Sequence, residues 1–340
     1  MSSDAASQTT PAIPEPGPLP EGMVVREAAK ADVPALFALL QAEDLAATGE
    51  SSLVVATVQH WFDSERARRR GVTRVLEREG EFVGLWRVYR NFDDKYWVQV
   101  AVDRRLPGAT VDALWRAGLH WVEVTALAIA DSLGVDRPRL DAWVCSDDAL
   151  TRRHAEAAGY EQTRAFIEMQ LELADYRGPA PDPQVTIRRA DIDGPDSPDL
   201  RLMHALVTAS FRDHFDFIER PYDEWVQNRL DDPLNDFTHW YIAAHDGVDV
   251  GALIGHNGYI EVDNAGYIAN LGVLREGRGK GVAKALLHTS FARYAADGRV
   301  AVKLEVDAES PTGATHLYES VGMYRRMVGF DFFKWPRGKG

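Results

Sequence analysis

The alternation of apolar and polar positions predicts an ordered series of strands and helices from Met23 onward. Val24 to Ala28 reads as a short strand. Ala31 to Gln41 reads as a helix with proline near its first turn and apolar residues at helical spacing. A second helix is predicted over about Leu53 to Ala67, then strands over Val72–Arg78, Phe82–Tyr89 and Tyr96–Val102, separated by turn chemistry at Glu79-Gly80 and at Asn91 to Asp94. A long helix over Thr110–Leu133, a strand over Arg139–Val144, a helix over Ala149–Ala158 and a strand over Arg164–Glu172 complete the first half.

The order then repeats. Val25-Arg-Glu-Ala28 matches Ile187-Arg-Arg-Ala190, Val83-Gly84 matches Val250-Gly251, and the segment His154 to Tyr160 matches Leu317 to Met323. This is an internal duplication. Between the copies, Tyr176 to Gln184 carries alternate prolines and reads as a semi-rigid linker. The pattern predicts a tail without packing over residues 1–22, a first domain over 23–175, a linker over 176–184 and a second domain over 185–336. Each domain is read as α/β (α+β), a mixed and mostly antiparallel sheet flanked by helices.

One stretch stands out chemically. Asn270 to Val273 ends a strand, the loop that follows carries Gly277, Gly279 and Gly281, and Val282 to Leu287 opens a helix. Glycines free the backbone to turn several N–H groups toward one point, where the positive end of a helix dipole adds to them, and Arg278 and Lys280 supply cations at the rim. Such a loop suits a pyrophosphate. A Walker A loop needs Ser or Thr after Gly-Lys, and here Gly281 and Val282 follow Lys280. A dinucleotide fingerprint needs a further glycine where Lys284 stands.

The pattern Arg278-x-x-Gly281-x-Ala283 after a strand resembles motif A of the GNAT superfamily of acyl-CoA-dependent N-acetyltransferases. The strand Val300–Val306, followed by the helical segment from Pro311 to Met323 with its glycine at 322, resembles motif B of the same superfamily. The wording is similar to the tandem-domain, mycothiol synthase-like branch. The resemblance implies acetyl-CoA as cosubstrate, held by Leu271, Gly272, Val273, Arg278, Gly279, Lys280, Gly281, Val282, Ala283 and Ser310, and a reaction without a metal. It implies Tyr318 as proton donor to the leaving thiolate. Tyr267 stands where many members carry a glutamate base, so the proton acceptor is left open among Glu261, Asp263 and a water held by Asn270, with Tyr267 and Glu261 kept as catalytic candidates. Ser310 replaces the asparagine common in motif B. The aromatic and acidic stretch Ser210 to Trp225, with His214, Phe215 and Trp225, is expected to wall the acceptor pocket.

In the first copy the aligned loop has Leu106, Pro107 and Thr110 in place of Gly279, Lys280 and Ala283, and Ala155 replaces Tyr318. Proline offers no N–H to an anion, so the first copy is expected to be degenerate.

Composition narrows the function further. A formal net charge of −14 argues against general nucleic-acid binding and fits a cationic acceptor. No apolar stretch reaches membrane-spanning length, and the single cysteine, Cys145, excludes a disulfide framework within the chain. The expectation is a cytoplasmic enzyme, monomeric or homodimeric, that moves acetyl from acetyl-CoA to a small-molecule primary amine. The alternatives are a non-catalytic acyl-CoA-binding scaffold, or a mycothiol synthase proper acting on a cysteinyl pseudodisaccharide.

Overall fold

The computed structural model describes residues 11–180, 182–310 and 312–339. The chain divides into two units. One comprises residues up to Ser51, Thr57–Arg164 and Phe330–Gly340, and the other comprises Ser52–Ala56 and Ala165–Gly329.

The elements of the first half are β1 (Met23–Glu27), α1 (Val33–Thr48), α2 (Val55–Asp63), α3 (Glu65–Arg70), β2 (Gly71–Arg78), β3 (Glu81–Arg90), β4 (Lys95–Val102), α4 (Gly108–Ser132), β5 (Arg139–Cys145), α5 (Ala149–Ala157) and β6 (Glu161–Glu172). The second half adds β7 (Val185–Arg189), α6 (Pro198–Phe211), α7 (Tyr222–Asp231), β8 (Asn235–His245), β9 (Val248–His256), α8 (Ile260–Asp263), β10 (Ala265–Val273), α9 (Val282–Ala296), β11 (Ala301–Asp307), α10 (Ala314–Ser320) and β12 (Tyr324–Lys334). No helix among the described residues is long and apolar enough to cross a membrane.

In the first unit the strands run in the order β1-β2-β3-β4-β5-β12. Neighbours from β1 to β4 are antiparallel, whereas β4 and β5 are parallel. In the second unit the order is β6-β11-β10-β9-β8-β7, antiparallel except for β10 beside β11. Alternation along the strands supplies both faces of this second sheet. Tyr241, Ala243, Val302, Leu304 and Val306 pack with Leu286, Phe291 and Tyr294 of α9. Trp240, Ile242, Ala252 and Ile254 pack on the other face with Met203 and Leu206 of α6 and Trp225 of α7.

Three sequence expectations change. The domain boundary does not fall at the proline-rich segment: β6, the last strand of the first copy, pairs along Phe166–Glu172 with Asp307–Ala301 of β11, and the segment from Phe330 joins the first unit. Alternation tells that a strand exists but not which sheet edge it completes. The helix expected over Leu53–Ala67 breaks at Ser64, whose extended backbone and hydroxyl, accepting from the Ala67 N–H, start α3. Residues 1–10 of the expected tail lie outside the described residues, whereas Ile13 and Leu19 pack on the first core and the Pro14 carbonyl accepts from Trp121 Nε1 at 2.9 Å.

The first core depends on close approach of α4 to β3. Trp86 is fully buried and stands 5.9 Å from Trp121, ring centre to ring centre. A Cβ on Gly118, in the interior of α4, would lie 2.4 Å from Trp86 Nε1 and 2.9 Å from Val100 Cγ1. Helix propensity alone favours alanine at such a position by ~1 kcal/mol, while overpacking a closed core costs about 1–3 kcal/mol. With an approach as short as 2.4 Å the cost lies at the upper end of that range, so Gly118→Ala is expected to destabilise the first unit by about 2 kcal/mol net. Denaturant titration followed by tryptophan fluorescence checks this, and an unchanged or raised midpoint contradicts it.

Candidate acyl-transfer site

The second sheet opens at one place. β10 pairs with β11 only over Ala265–Tyr267 against Ala301–Lys303. Beyond that point β10 stays with β9, through a bulge between Ile268 and Asn270, and β11 stays with β6 as far as Asp307 against Phe166. The facing edges from Ile268 to Val273 and from Leu304 to Asp307 line a cavity of about 480 Å³. Backbone groups on such edges have lost their sheet partners and are free to pair with a ligand carrying amides.

At one end of the cleft lies the glycine loop. Gly279 and Gly281 both have φ of +75°, a conformation that side chains resist, and Gly281 caps α9 without any side-chain cap bond. The first N–H groups of this 15-residue helix are thus left for an anion. Arg278 lines the cavity and turns its Nε to the Val273 carbonyl at 3.2 Å. Asp182, from the proline-rich segment, places Oδ2 3.7 Å from where a side chain on Gly281 would begin. A carboxylate therefore stands beside the anion site.

At the other end is Tyr318 on α10. It is 8% exposed, lines the cavity, and burial pushes its phenol up to about 12. The phenol therefore keeps its proton across the physiological range. Asn270, at the bulge, accepts from Arg229 Nη2 at 2.9 Å through Oδ1, and that guanidinium lies over the rings of Trp225 and Trp240.

The cavity gathers most residues expected to hold a cosubstrate: Leu271, Gly272, Val273, Arg278, Gly279, Gly281, Val282, Ala283 and Ser310. Lys280 is exposed outside the lining, and Pro311 lies outside the described residues. His214 lines the cavity with its ring 4.5 Å from that of Phe211. Burial lowers its pKa, opposed by Asp307 across from it, which favours the neutral imidazole. Phe215 is exposed and outside the lining. Trp225 is 7% exposed and packs in the core, so it reaches the site only through Arg229.

The proposed proton acceptors fare differently. Glu261 stands exposed on α8 and does not line the cavity. Asp263 is bound by Lys303 Nζ. Tyr267 packs behind the cleft between Tyr259, 5.2 Å away, and His256, 6.3 Å away, and burial, with Glu305 and Glu168 nearby, raises its pKa well above the ordinary tyrosine value. Ser210, the first residue of the stretch expected to wall the pocket, lines the cavity; sequence reasoning missed Glu305 and Asp307, which also line it, and Phe166, which arrives on the exchanged strand β6. Glu305 and Asp307 were readable in principle from the alternation of Val302, Leu304 and Val306, whereas Phe166 was not.

The first unit repeats the arrangement on a smaller scale. β4 and β5 pair in parallel only over Lys95–Trp97 against Arg139–Asp141, and a cavity of about 230 Å³ lies beyond, lined by Trp97–Ala101 and Ala142–Cys145. Arg104, which aligns with Gly277, reaches Glu43 Oε2 of α1 at 3.2 Å and Asp148 Oδ2, at the start of α5, at 2.8 Å. Burial pushes Glu43 up to about 7. Pro107 stands at the start of α4, and Ala155 holds the tyrosine position.

The second unit's parted strands and glycine loop define a class. Residues 201–323 match the acetyltransferase (GNAT) family. Among solved structures, a GCN5-related N-acetyltransferase from Sphaerobacter thermophilus is similar at 25% identity over 95% of this chain and 98% of that one, with a TM-score of 0.75. A tandem GNAT protein from the clavulanic acid biosynthesis pathway shares 16% identity over 94% of this chain and 99% of that one, with a TM-score of 0.64, which supports two GNAT-like domains. A glucosamine N-acetyltransferase region of a fungal multi-domain β-N-acetylglucosaminidase is similar in fold at 16% identity over 91% of this chain and 38% of that one, with a TM-score of 0.61. No curated protein matches the chain in sequence.

Two predictions follow from these charges. Asp182→Asn removes an anion beside the loop and is expected to tighten acetyl-CoA binding about threefold at low salt, with the gain fading as salt screens it. Calorimetry at two ionic strengths reads this, and equal affinities at low salt refute it. In the first unit, folded Glu43 holds a proton up to about pH 7 whereas an unfolded glutamate releases it near 4.5, so the folded state loses stability as pH rises through that window. Glu43→Gln abolishes this loss. Its unfolding free energy relative to the parent protein, read by denaturant titration, is expected to be higher at about pH 8 than at about pH 5 by on the order of 1–3 kcal/mol.

Proposed function

We propose that the second unit transfers acetyl from acetyl-CoA directly to a small-molecule primary amine, and that the first unit is a degenerate copy. One observation carries this reading: the cleft left between β10 and β11 runs from uncapped helix N–H groups at Gly281 to the buried hydroxyl of Tyr318. Its residues fit the three parts of the cosubstrate. The N–H groups at the start of α9 and the side chain of Arg278 suit the pyrophosphate. The exposed peptide edge of β10 suits the amides of a pantetheine arm and also offers N–H groups to a thioester oxygen. Tyr318 would hand its proton to the departing thiolate and recover one from solvent.

The degenerate role of the first unit rests on the Arg104 bridge across its smaller cavity, on Pro107 and on Ala155. The bridge ties α1 to the start of α5 where the second unit carries the small residue Gly277. Acceptor selection falls to the stretch around His214, together with the residues of β11 that face the cavity. The mycothiol synthase-like branch stays within this reading as one acceptor class.

Release of free thiol from acetyl-CoA across a panel of amines tests the activity. Tyr318→Phe is expected to lower kcat by about 10²-fold while leaving acetyl-CoA affinity nearly unchanged. A variant that turns over normally, with chemistry shown to be the slow step, makes Tyr318 a packing residue and favours the binding-scaffold alternative.

A further inference from the structure

The cavity of the first unit joins two kinds of polar surface. It lies where β4 and β5 part, and alternation along the two strands gives it two ends. Val98, Val100 and Val144 turn toward α4, where Trp115, Leu119 and Tyr160 pack with them. Trp97, Gln99 and Trp143 therefore face the other side, where α1 brings Glu43 and Asp44.

At the α4 end, Trp115 and Tyr160 are each only 3% exposed, and neither Trp115 Nε1 nor the Tyr160 hydroxyl has a hydrogen-bond partner within the chain. Buried donors are nearly always paired, so two unpaired donors bordering one cavity call for an acceptor atom from outside the chain. The hydroxyl is also peculiar to this copy. Tyr160 aligns with Met323 of the second unit, so the fold itself accepts an apolar side chain there.

At the α1 end three carboxylates, Glu43, Asp44 and Asp148, line the cavity with one guanidinium, Arg104. Arg104 bonds Glu43 and Asp148, while Asp44 accepts from the Ser51 hydroxyl at 2.8 Å. Burial pushes Glu43 up to about 7 and also raises Asp44; Arg104 opposes this at both, and Asp148 and Asp103 add to it at Glu43. This end is short of positive charge. Trp97 and Trp143 bring indole rings, whose faces attract cations. A phosphate fits neither end, because Pro107 stands at the helix start and Arg104 is shared by two carboxylates. A ligand carboxylate fits the α4 end poorly, since Lys334, 5.7 Å from the Tyr160 ring, is paired with Glu123 at 2.5 Å.

We propose that this cavity binds a small organic ammonium ion that also carries a neutral carbonyl oxygen. The ammonium lies among Glu43, Asp44 and the two indoles, and the carbonyl reaches between the parted strands to accept from Trp115 Nε1 and the Tyr160 hydroxyl. A volume of about 230 Å³ corresponds to about eight water volumes, room for several methylenes between the two groups. The site goes beyond the transferase reading and does not rest on it.

The test is calorimetry on the full chain at about pH 8, where Glu43 is ionised and alkylammonium ions keep their charge. The probes are 6-aminohexanamide, which has both groups, hexylamine, which lacks the amide, and hexanamide, which lacks the ammonium. The amino amide is expected to bind at least about tenfold tighter than either. Tyr160→Phe is expected to weaken its binding about tenfold and to leave hexylamine unchanged, whereas Glu43→Gln weakens both amines and leaves hexanamide unchanged. Without a probe, Tyr160→Phe removes a hydroxyl that has no partner, so its denaturant midpoint is expected to equal or exceed that of the parent protein. A lowered midpoint means that the chain already satisfies the hydroxyl, and overturns the site. An amino amide that binds no tighter than hexanamide overturns the cationic class, and one that binds no tighter than hexylamine overturns the carbonyl. Binding that neither variant alters puts the probes elsewhere, and no binding of any probe leaves the cavity to water; either result overturns the site.

Discussion

The separation of β10 from β11 after three paired residues is the constraint on which the second unit depends. A parallel pair inside a sheet normally continues to the end of the shorter strand, because a buried peptide group without a partner is costly. Here each strand keeps its outer neighbour, β9 on one side and β6 on the other, so both remain anchored while their inner edges diverge. The bulge at Ile268 to Asn270 marks where β10 changes course, and Arg229 holds the Asn270 side chain there. Bulges bend and twist a strand, and next to a cleft they re-aim it. The open edges, the uncapped start of α9 and the buried Tyr318 then lie along one cavity.

The two units show the same frame under different local chemistry. In both, a parallel pair of strands parts after three residues and a long helix follows the first of them. In the first unit Arg104 fills the position of Gly277, and its guanidinium joins Glu43 to Asp148 over a cavity about half the size. A buried cluster of that kind holds its parts in place through charge-assisted bonds, at a desolvation cost visible in the raised pKa of Glu43. The His154 ring stacks on Trp115, 5.3 Å between centres, and the neighbouring Ala155 sits where the second unit has its tyrosine. In the first unit the positions that match Gly279 and Tyr318 thus hold Leu106 and Ala155 within a packed core.

The charges around the second cleft are unevenly arranged, and that arrangement bears on selectivity. Arg278 stands beside the start of α9, whereas Glu305 and Asp307 enter the same cavity from β11. Lys303 and Arg326 both pair with the buried Glu168. Several acidic residues in and just after the stretch expected from sequence to wall the acceptor pocket have local partners instead. Asp213 pairs with Arg275, Glu219 with Arg212, and Asp232 with His256. Exposed pairs of this kind are worth little individually, but they lower the field that the stretch presents.

By itself the sequence determined the periodicities, the duplication, the glycine loop at 277–281 and the tyrosine at 318, because each is a local property of backbone conformation or residue type. A left-handed turn at Gly279 and Gly281, or an apolar stripe along α9, needs no knowledge of distant residues. Only the tertiary structure decided that β6 completes the second sheet and brings Phe166 to the cavity, that Trp225 is a core residue supporting Arg229, and that Glu305 faces the cleft while Glu261 does not. Strand pairing joins residues more than a hundred positions apart, Glu168 against Glu305 among them, and a period of two says only that a side chain points to one face or the other. Which face becomes the site depends on where neighbouring strands part, and that is set by packing from both sides of the sheet.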